Sequence, residues 1–185
     1  MALLVLLNGP PASGKSTIAR RFVDTRPLAL NLDIDVVRSM LGAWLDDPSK
    51  AGASARSLAL AMAETHLAAG HDVIVPQFLG RPEFIDQLSD VAARTRSTFV
   101  EAALWLDRAS ALDAFAQRRA TPSDPTHHDA AALVDRSDDA DPVGRMYHAF
   151  VDVVEHRPAT RRVEVIRGDV DRTYRRFAAA LDLDA

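Results

Sequence analysis

Residues 3–17 read LLVLLNGPPASGKST. The apolar run from Ala2 to Leu7, closed by Asn8-Gly9, has the pattern of a strand buried on both faces, and such strands lie inside parallel sheets. Next comes a full G-x-x-x-x-G-K-S/T loop: Gly9, Pro10, Pro11, Ala12, Ser13, Gly14, Lys15, Ser16 and Thr17. Its glycines admit backbone torsions that a side chain obstructs, so the loop N–H groups can converge on a phosphate at the positive end of the following helix. In this motif the lysine, Lys15, bridges β- and γ-phosphates, and the Ser16 hydroxyl ligates Mg²⁺. Ile18 and Phe22, four residues apart, predict an amphipathic helix from Lys15 to Asp24, and Pro27 ends the unit.

Working outward, the same alternation repeats. Strands are predicted at Leu28–Leu32, Asp72–Val75, Thr98–Leu106 and Arg162–Ile166. Helices are predicted at Val36–Trp44, Ser54–Ala69, Arg81–Arg94, Ala109–Arg119, Val143–Glu155 and Val170–Leu181, with Asp46–Gly52 as a loop. Five strands alternating with helices predict an α/β fold with a mostly parallel sheet, whose ligands bind at the carboxyl ends of the strands. That edge holds Gly9–Thr17, Asp33, Asp35, Gln77 and Asp107. The polar stretch from Ala120 to Pro142 carries three prolines and one predicted short helix near Ala130–Val134. It is expected to be a mobile lid, roughly residues 118–142, within a single domain spanning 1–185.

Composition narrows the chemistry. The 185 residues are 48% hydrophobic and 26% charged, too apolar for a disordered chain. The net charge of −4 argues against a broad nucleic-acid footprint. No apolar run approaches the roughly 20 residues of a membrane span, and the apolar start reads as a strand rather than a signal peptide. The absence of cysteine removes disulfides, thiolate metal sites and cysteine nucleophiles, and suits a cytoplasmic location. The only lysines are Lys15 and Lys50, so an Asn-Lys-x-Asp guanine reader is excluded. The third strand runs into Pro76-Gln77 with no acidic residue, unlike motor-type ATPases. Asp107 is a secondary Mg²⁺ candidate whose alternative is a helix cap. His127-His128 lacks a third ligand at suitable spacing, and adjacent side chains of an extended loop point apart.

The remaining chemistry lies in Asp33-Ile34-Asp35-Val36-Val37-Arg38. If the strand continues, its two carboxylates point the same way, toward the phosphate loop. One can take the proton of an acceptor hydroxyl and the other can hold a Mg²⁺ water, while Arg38 grips an anionic or polar part of the acceptor. Gln77 and Arg81, just beyond the third strand, are candidates for the acceptor pocket.

A phosphate loop on strand one followed by Asp-x-Asp-x-x-Arg after strand two resembles the small-molecule P-loop kinases. These include adenylylsulfate kinase, chloramphenicol phosphotransferase, gluconate kinase, polynucleotide kinase and the zeta-toxin sugar-nucleotide kinases. In motif the resemblance covers about residues 3–40, and in architecture most of the chain. It implies a three-layer P-loop NTPase fold of the adenylate-kinase type, with strand order 2-3-1-4-5. It also implies ATP and Mg²⁺ as cofactors, and transfer of the γ-phosphoryl group to a hydroxyl of an antibiotic, a sugar or a nucleoside-type metabolite. By the same resemblance Asp35 is the first choice of base and Asp33 the second. Arg118 or Arg119 acts from the lid on the transferring phosphate, and Val170 packs the adenine. The rival readings are an ATPase or regulatory module without an acceptor, and a nucleic-acid end kinase.

Overall fold

The computed structural model describes residues 1–121 and 140–182. The apolar run at the amino end forms β1 (Leu3–Asn8), the central strand of a five-stranded sheet. It pairs in parallel with β3 (Val73–Pro76) on one side and β4 (Thr98–Trp105) on the other. The edges are β2 (Leu30–Asn31), beside β3, and β5 (Arg161–Glu164), beside β4, so the order is β2-β3-β1-β4-β5 with every pairing parallel.

Alternation along β1 divides the core into two layers. Leu4 and Leu6, with Val73 and Val75 of β3, face α3 (Pro48–Ala68) and α4 (Glu83–Arg94). Val5 and Leu7, with Ile74, face α1 (Lys15–Asp24) and α7 (Val170–Ala180). A strand with both faces covered is apolar along its length, which Leu3–Leu7 supply before the polar Asn8. On the α1–α7 side, Phe22 and Phe177 are fully buried and meet edge to face with ring centroids 6.2 Å apart. On the other side α3 presents Ala51, Ala55, Ala59, Ala63 and Leu67 at four-residue spacing. Side chains this small let the helix backbone approach its neighbours closely.

Three further helices complete the described chain: α2 (Ile34–Ser39), α5 (Arg108–Ala120) and α6 (Pro142–Glu155). None of the described helices is long and apolar enough to cross a membrane.

Several boundaries differ from the sequence reading, each for a local reason. The predicted Asp46–Gly52 loop is mostly the start of α3: Pro48 stands in its first turn, and the Asp47 carboxylate accepts from the Lys50 N–H at 3.0 Å. Asp-Pro is as much a helix opening as a turn. The predicted Leu28–Leu32 strand shrinks to two residues, because Leu28 takes φ 60° and turns outward, 69% exposed. The helix predicted at Val36–Trp44 is α2, which starts earlier and ends at Ser39. Of the expected lid, Arg118–Ala120 finish α5 and Pro142 opens α6. The rest, with the Ala130–Val134 helix and His127-His128, falls on 122–139, outside the described residues.

Candidate active site

All the site elements start from the carboxyl edge of the sheet. Leaving β1, the chain needs a glycine at once: a Cβ on Gly9 would lie 2.7 Å from Ser13 Oγ and 3.2 Å from the Leu104 carbonyl oxygen of β4. Ala12 takes a left-handed φ of 65°, and Gly14 reaches φ 93° at the mouth of α1. Among the described helices α1 alone has neither a side-chain cap nor an acidic residue in its first turn. Its first N–H groups are therefore left for an anion. Lys15 folds back over the loop, where Nζ donates to the carbonyls of Gly9 (3.0 Å) and Pro10 (2.9 Å). Burial, with the Arg118 cation second, lowers its pKa from 10.5 to about 7, against the smaller opposing pull of Asp35 and Asp33.

Asn8, the last residue of β1, fastens the loop to the far wall. Its Oδ1 accepts from the N–H groups of Gly9 (2.8 Å) and Leu79 (2.9 Å), and its Nδ2 donates to the Leu79 carbonyl (3.0 Å). The sequence reading treated Asn8 only as the end of a strand. Its signal is a polar residue closing an otherwise apolar buried run, and such a group must be hydrogen-bonded.

Asp33 and Asp35 do not continue a strand. Asp33 is the N-cap of α2, accepting from the Asp35 N–H at 2.9 Å, and Asp35 sits in the first turn, 3.0 Å from the Arg38 guanidinium. The strand premise fails because an Asp at the end of an extended segment caps the helix that follows. Both carboxylates nonetheless line one cleft with Lys15, Ser16 and Arg38. Burial, followed by repulsion from Asp35, raises the Asp33 pKa, while N–H donors and Lys15 act the other way. Arg38 lies over the Trp44 ring at 4.6 Å, and its Nε is buried without a partner in the described structure.

The cleft encloses about 1010 Å³ and runs from the phosphate loop, past the two aspartates, to α4 and α6. Pro11, Ala12, Gly14 and Thr17 line it, whereas Gly9 and Pro10 support the loop from behind. Gln77 and Arg81 fall on its wall, as their position after β3 predicted, and Gln77 Oε1 is buried without a described partner. Arg118 projects into the cleft, where burial lowers its pKa against the pull of Asp35. Arg119 does not line it: one residue further on a helix means about 100° of rotation, and this side chain is engaged elsewhere. Asp107 is the N-cap of α5, with its two oxygens taken by Ser110 at 2.9 and 2.6 Å, and it is absent from the cleft wall. The cap alternative is the one that holds.

A second cavity of about 450 Å³ opens on the other side of the phosphate loop. Ser13, Thr17, Gln117, Arg118, Gly168 and Val170 line it, so the turn before α7 comes to the phosphate loop. Side chains that the sequence reading missed form the far end of the large cleft: Arg56 of α3, Phe78, Phe84 and Gln87 around α4, and Arg145 and Met146 of α6. No local motif marks them, since only the packing of α3, α4 and α6 around one opening brings them together.

Among family models, one described as "AAA domain" matches residues 4–142, a span that includes the phosphate loop, Asp33–Arg38 and Arg118. No curated protein matches the sequence. Among solved structures, the tunicamycin resistance protein of Deinococcus radiodurans superposes with a TM-score of 0.62 at 13% identity, covering 99% of this chain and 97% of that one. A gluconokinase from Sinorhizobium meliloti 1021 gives 0.59 at 15% identity, over 96% and 90% of the two chains. A protein of Chloroflexus aurantiacus gives 0.64 at 16% identity, over 98% and 96%. At such identities the likeness is one of fold, and the fold is that of the P-loop NTPases, with the predicted order 2-3-1-4-5.

Proposed function

This chain belongs to the AAA domain family, and from that premise we propose that it is a kinase moving the γ-phosphoryl group of ATP to a hydroxyl of a small molecule. The observation that carries the reading is the juxtaposition of a phosphate loop with two carboxylates and an open wall beyond them. The cleft of about 1010 Å³ extends past Asp35 to Gln77, Arg81 and α6, and an ATPase without an acceptor has no use for that space. The structural neighbours include a gluconokinase, a protein of the same fold whose name states a small-molecule acceptor.

In the proposed mechanism the loop from Gly9 to Thr17 holds the nucleotide phosphates through its N–H groups, and Val170 packs the adenine in the second cavity. Lys15 exchanges its two loop carbonyls for the β- and γ-phosphates, which return it to the charged state. The Ser16 hydroxyl and the Asp33 carboxylate suit a hard cation, and Mg²⁺ held there would neutralise phosphate charge. Asp35, oriented by Arg38, holds the acceptor hydroxyl in line and takes its proton. The acceptor oxygen then bonds to the γ-phosphorus as the bond to the bridging oxygen of ADP breaks. A carboxylate is a weak base for a free alcohol, but in a loose transition state the proton leaves late and orientation counts for more. Arg118 neutralises the equatorial oxygens. We take residues 1–185 as one catalytic unit.

The test is calorimetry with Mg²⁺ and the non-hydrolysable analogue AMP-PNP, beside Lys15→Ala, followed by a screen of hydroxylated acceptors. Micromolar binding that the substitution abolishes is expected. Asp35→Ala is expected to keep AMP-PNP affinity within about two-fold and to lose phosphoryl transfer. Absence of AMP-PNP binding to the folded wild type would refute the assignment. ATP hydrolysis unaffected by Asp35→Ala, with no transfer to any acceptor, would favour the ATPase reading.

A further inference from the structure

The cleft is cationic in an acidic protein. Six cationic side chains line it against three carboxylates, in a chain of net charge −4. Lys15 and Arg118 stand at the phosphate loop, and Arg38 is paired with Asp35. Arg145 lines the cleft from α6 and has an interaction of its own, whereas Arg56 and Arg81 make no ion pair or hydrogen bond among the described residues. Elsewhere on the molecule arginines are commonly paired: Arg94, Arg157, Arg167 and Arg176 hold carboxylates at 2.9, 2.6, 2.7 and 2.8 Å. Two guanidinium groups without a described partner on one concavity raise its potential, and of the three carboxylates on the wall only Glu83 lies outside the Asp33–Asp35 pair. A second observation points the same way: Gln77 Oε1 and Arg38 Nε, on two residues of the same cleft, are buried polar atoms without a described partner. Buried polar groups left this way take a hydrogen bond from water or from a bound molecule.

We infer that the phosphoryl acceptor carries an anionic group, a phosphate or a carboxylate, gripped by Arg56 and Arg81 while its hydroxyl reaches Asp35. This deepens the kinase reading and rests on it. Guanidinium forks match planar carboxylates and phosphates with paired N–H donors, so two of them fix the far end of the acceptor. Gln77 and the Arg38 Nε–H take a polar acceptor group between the two ends. Phe78, Phe84 and Met146 line the same space and suit an apolar face on the acceptor.

The test keeps the phosphate loop occupied. With the full chain saturated by Mg²⁺ and AMP-PNP, inorganic phosphate and acetate are titrated by calorimetry at constant ionic strength, each probing one anion chemistry. At least one is expected to bind with a millimolar Kd that weakens five-fold or more in Arg56→Gln and in Arg81→Gln, and not in Arg175→Gln on the outer face of α7. Both cleft arginines are solvent-exposed, so the variants are expected to fold, and unchanged AMP-PNP affinity checks that they do. Saturable AMP-PNP binding with neither anion bound, or with anion affinity indifferent to Arg56 and Arg81, overturns this inference and leaves the kinase reading intact. Failure of AMP-PNP to bind the wild type overturns both.

Discussion

Replacing Lys15 with methionine should cost the nucleotide-free protein less stability at pH 7 than at pH 9. The lysine is held half-buried, beside Arg118, with a pKa lowered from 10.5 to about 7. Between those two values the unfolded chain binds more protons than the folded one, so wild-type stability rises with pH across that window. Below it both states carry the proton and the full cost of the confined charge is felt. Taken whole, 3.5 pH units at about 1.36 kcal/mol each would amount to roughly 5 kcal/mol. Because the side chain retains contact with water, roughly a third of that is the sounder expectation. Methionine carries no proton, and it also removes the two bonds to Gly9 and Pro10, about 1 kcal/mol each, at every pH. The informative quantity is therefore the change with pH rather than the absolute difference. From pH 7 to pH 9 the melting temperature of Lys15→Met minus that of wild type should fall by roughly 2–4 °C, equivalent to about 1 kcal/mol for a domain of this size. Thermal denaturation followed by circular dichroism in nucleotide-free buffer measures it. Parallel curves for the two proteins would show that Lys15 keeps its usual pKa and that the confinement argument is wrong.

Two further predictions follow from the same geometry. Nucleotide binding should return Lys15 to its protonated form, so at pH 8 AMP-PNP should take up most of one proton. Calorimetric enthalpies in HEPES and Tris would then differ in proportion to the buffers' ionisation heats, and equal enthalpies would sink the idea. Phe22→Ala opens a hole against Phe177 and should cost about 3–5 kcal/mol in urea denaturation while leaving AMP-PNP affinity unchanged under folding conditions. A loss below about 1.5 kcal/mol would mean that the α1–α7 layer collapses to fill the space.

The parts of the molecule that could be read in advance are those encoded locally. LLVLL has to lie within a sheet because all five positions are apolar, and the loop after it carries its own glycines. Asp33, Asp35 and Arg38 line the cleft on a different backbone from the expected one: period-two alternation and a helix cap both accept aspartate, and the choice depends on where β2 stops. Arg118 and Arg119 are equivalent in sequence, since composition specifies a helix without fixing which face turns inward. Arg56 carries no signal: its helix offers a narrow alanine stripe, and its place on the cleft wall follows from α3 starting as early as Pro48. The order of the strands came from the resemblance of the motifs, because no periodicity within the chain encodes which neighbours pair.

The three bonds of Asn8 bear on how this scaffold can diversify. One side chain sets both the path of the phosphate loop and the level at which the acceptor wall begins, so the spacing between donor and acceptor is inherited as a single unit. Insertions at Leu79 would disturb the nucleotide as much as the second substrate, and selection would remove them. On the proposed kinase reading, new acceptors would be gained by exchanging side chains that hang from the fixed frame, at positions such as 56, 77 and 81. A lineage built this way would be expected to vary widely in those side chains while keeping the geometry between them.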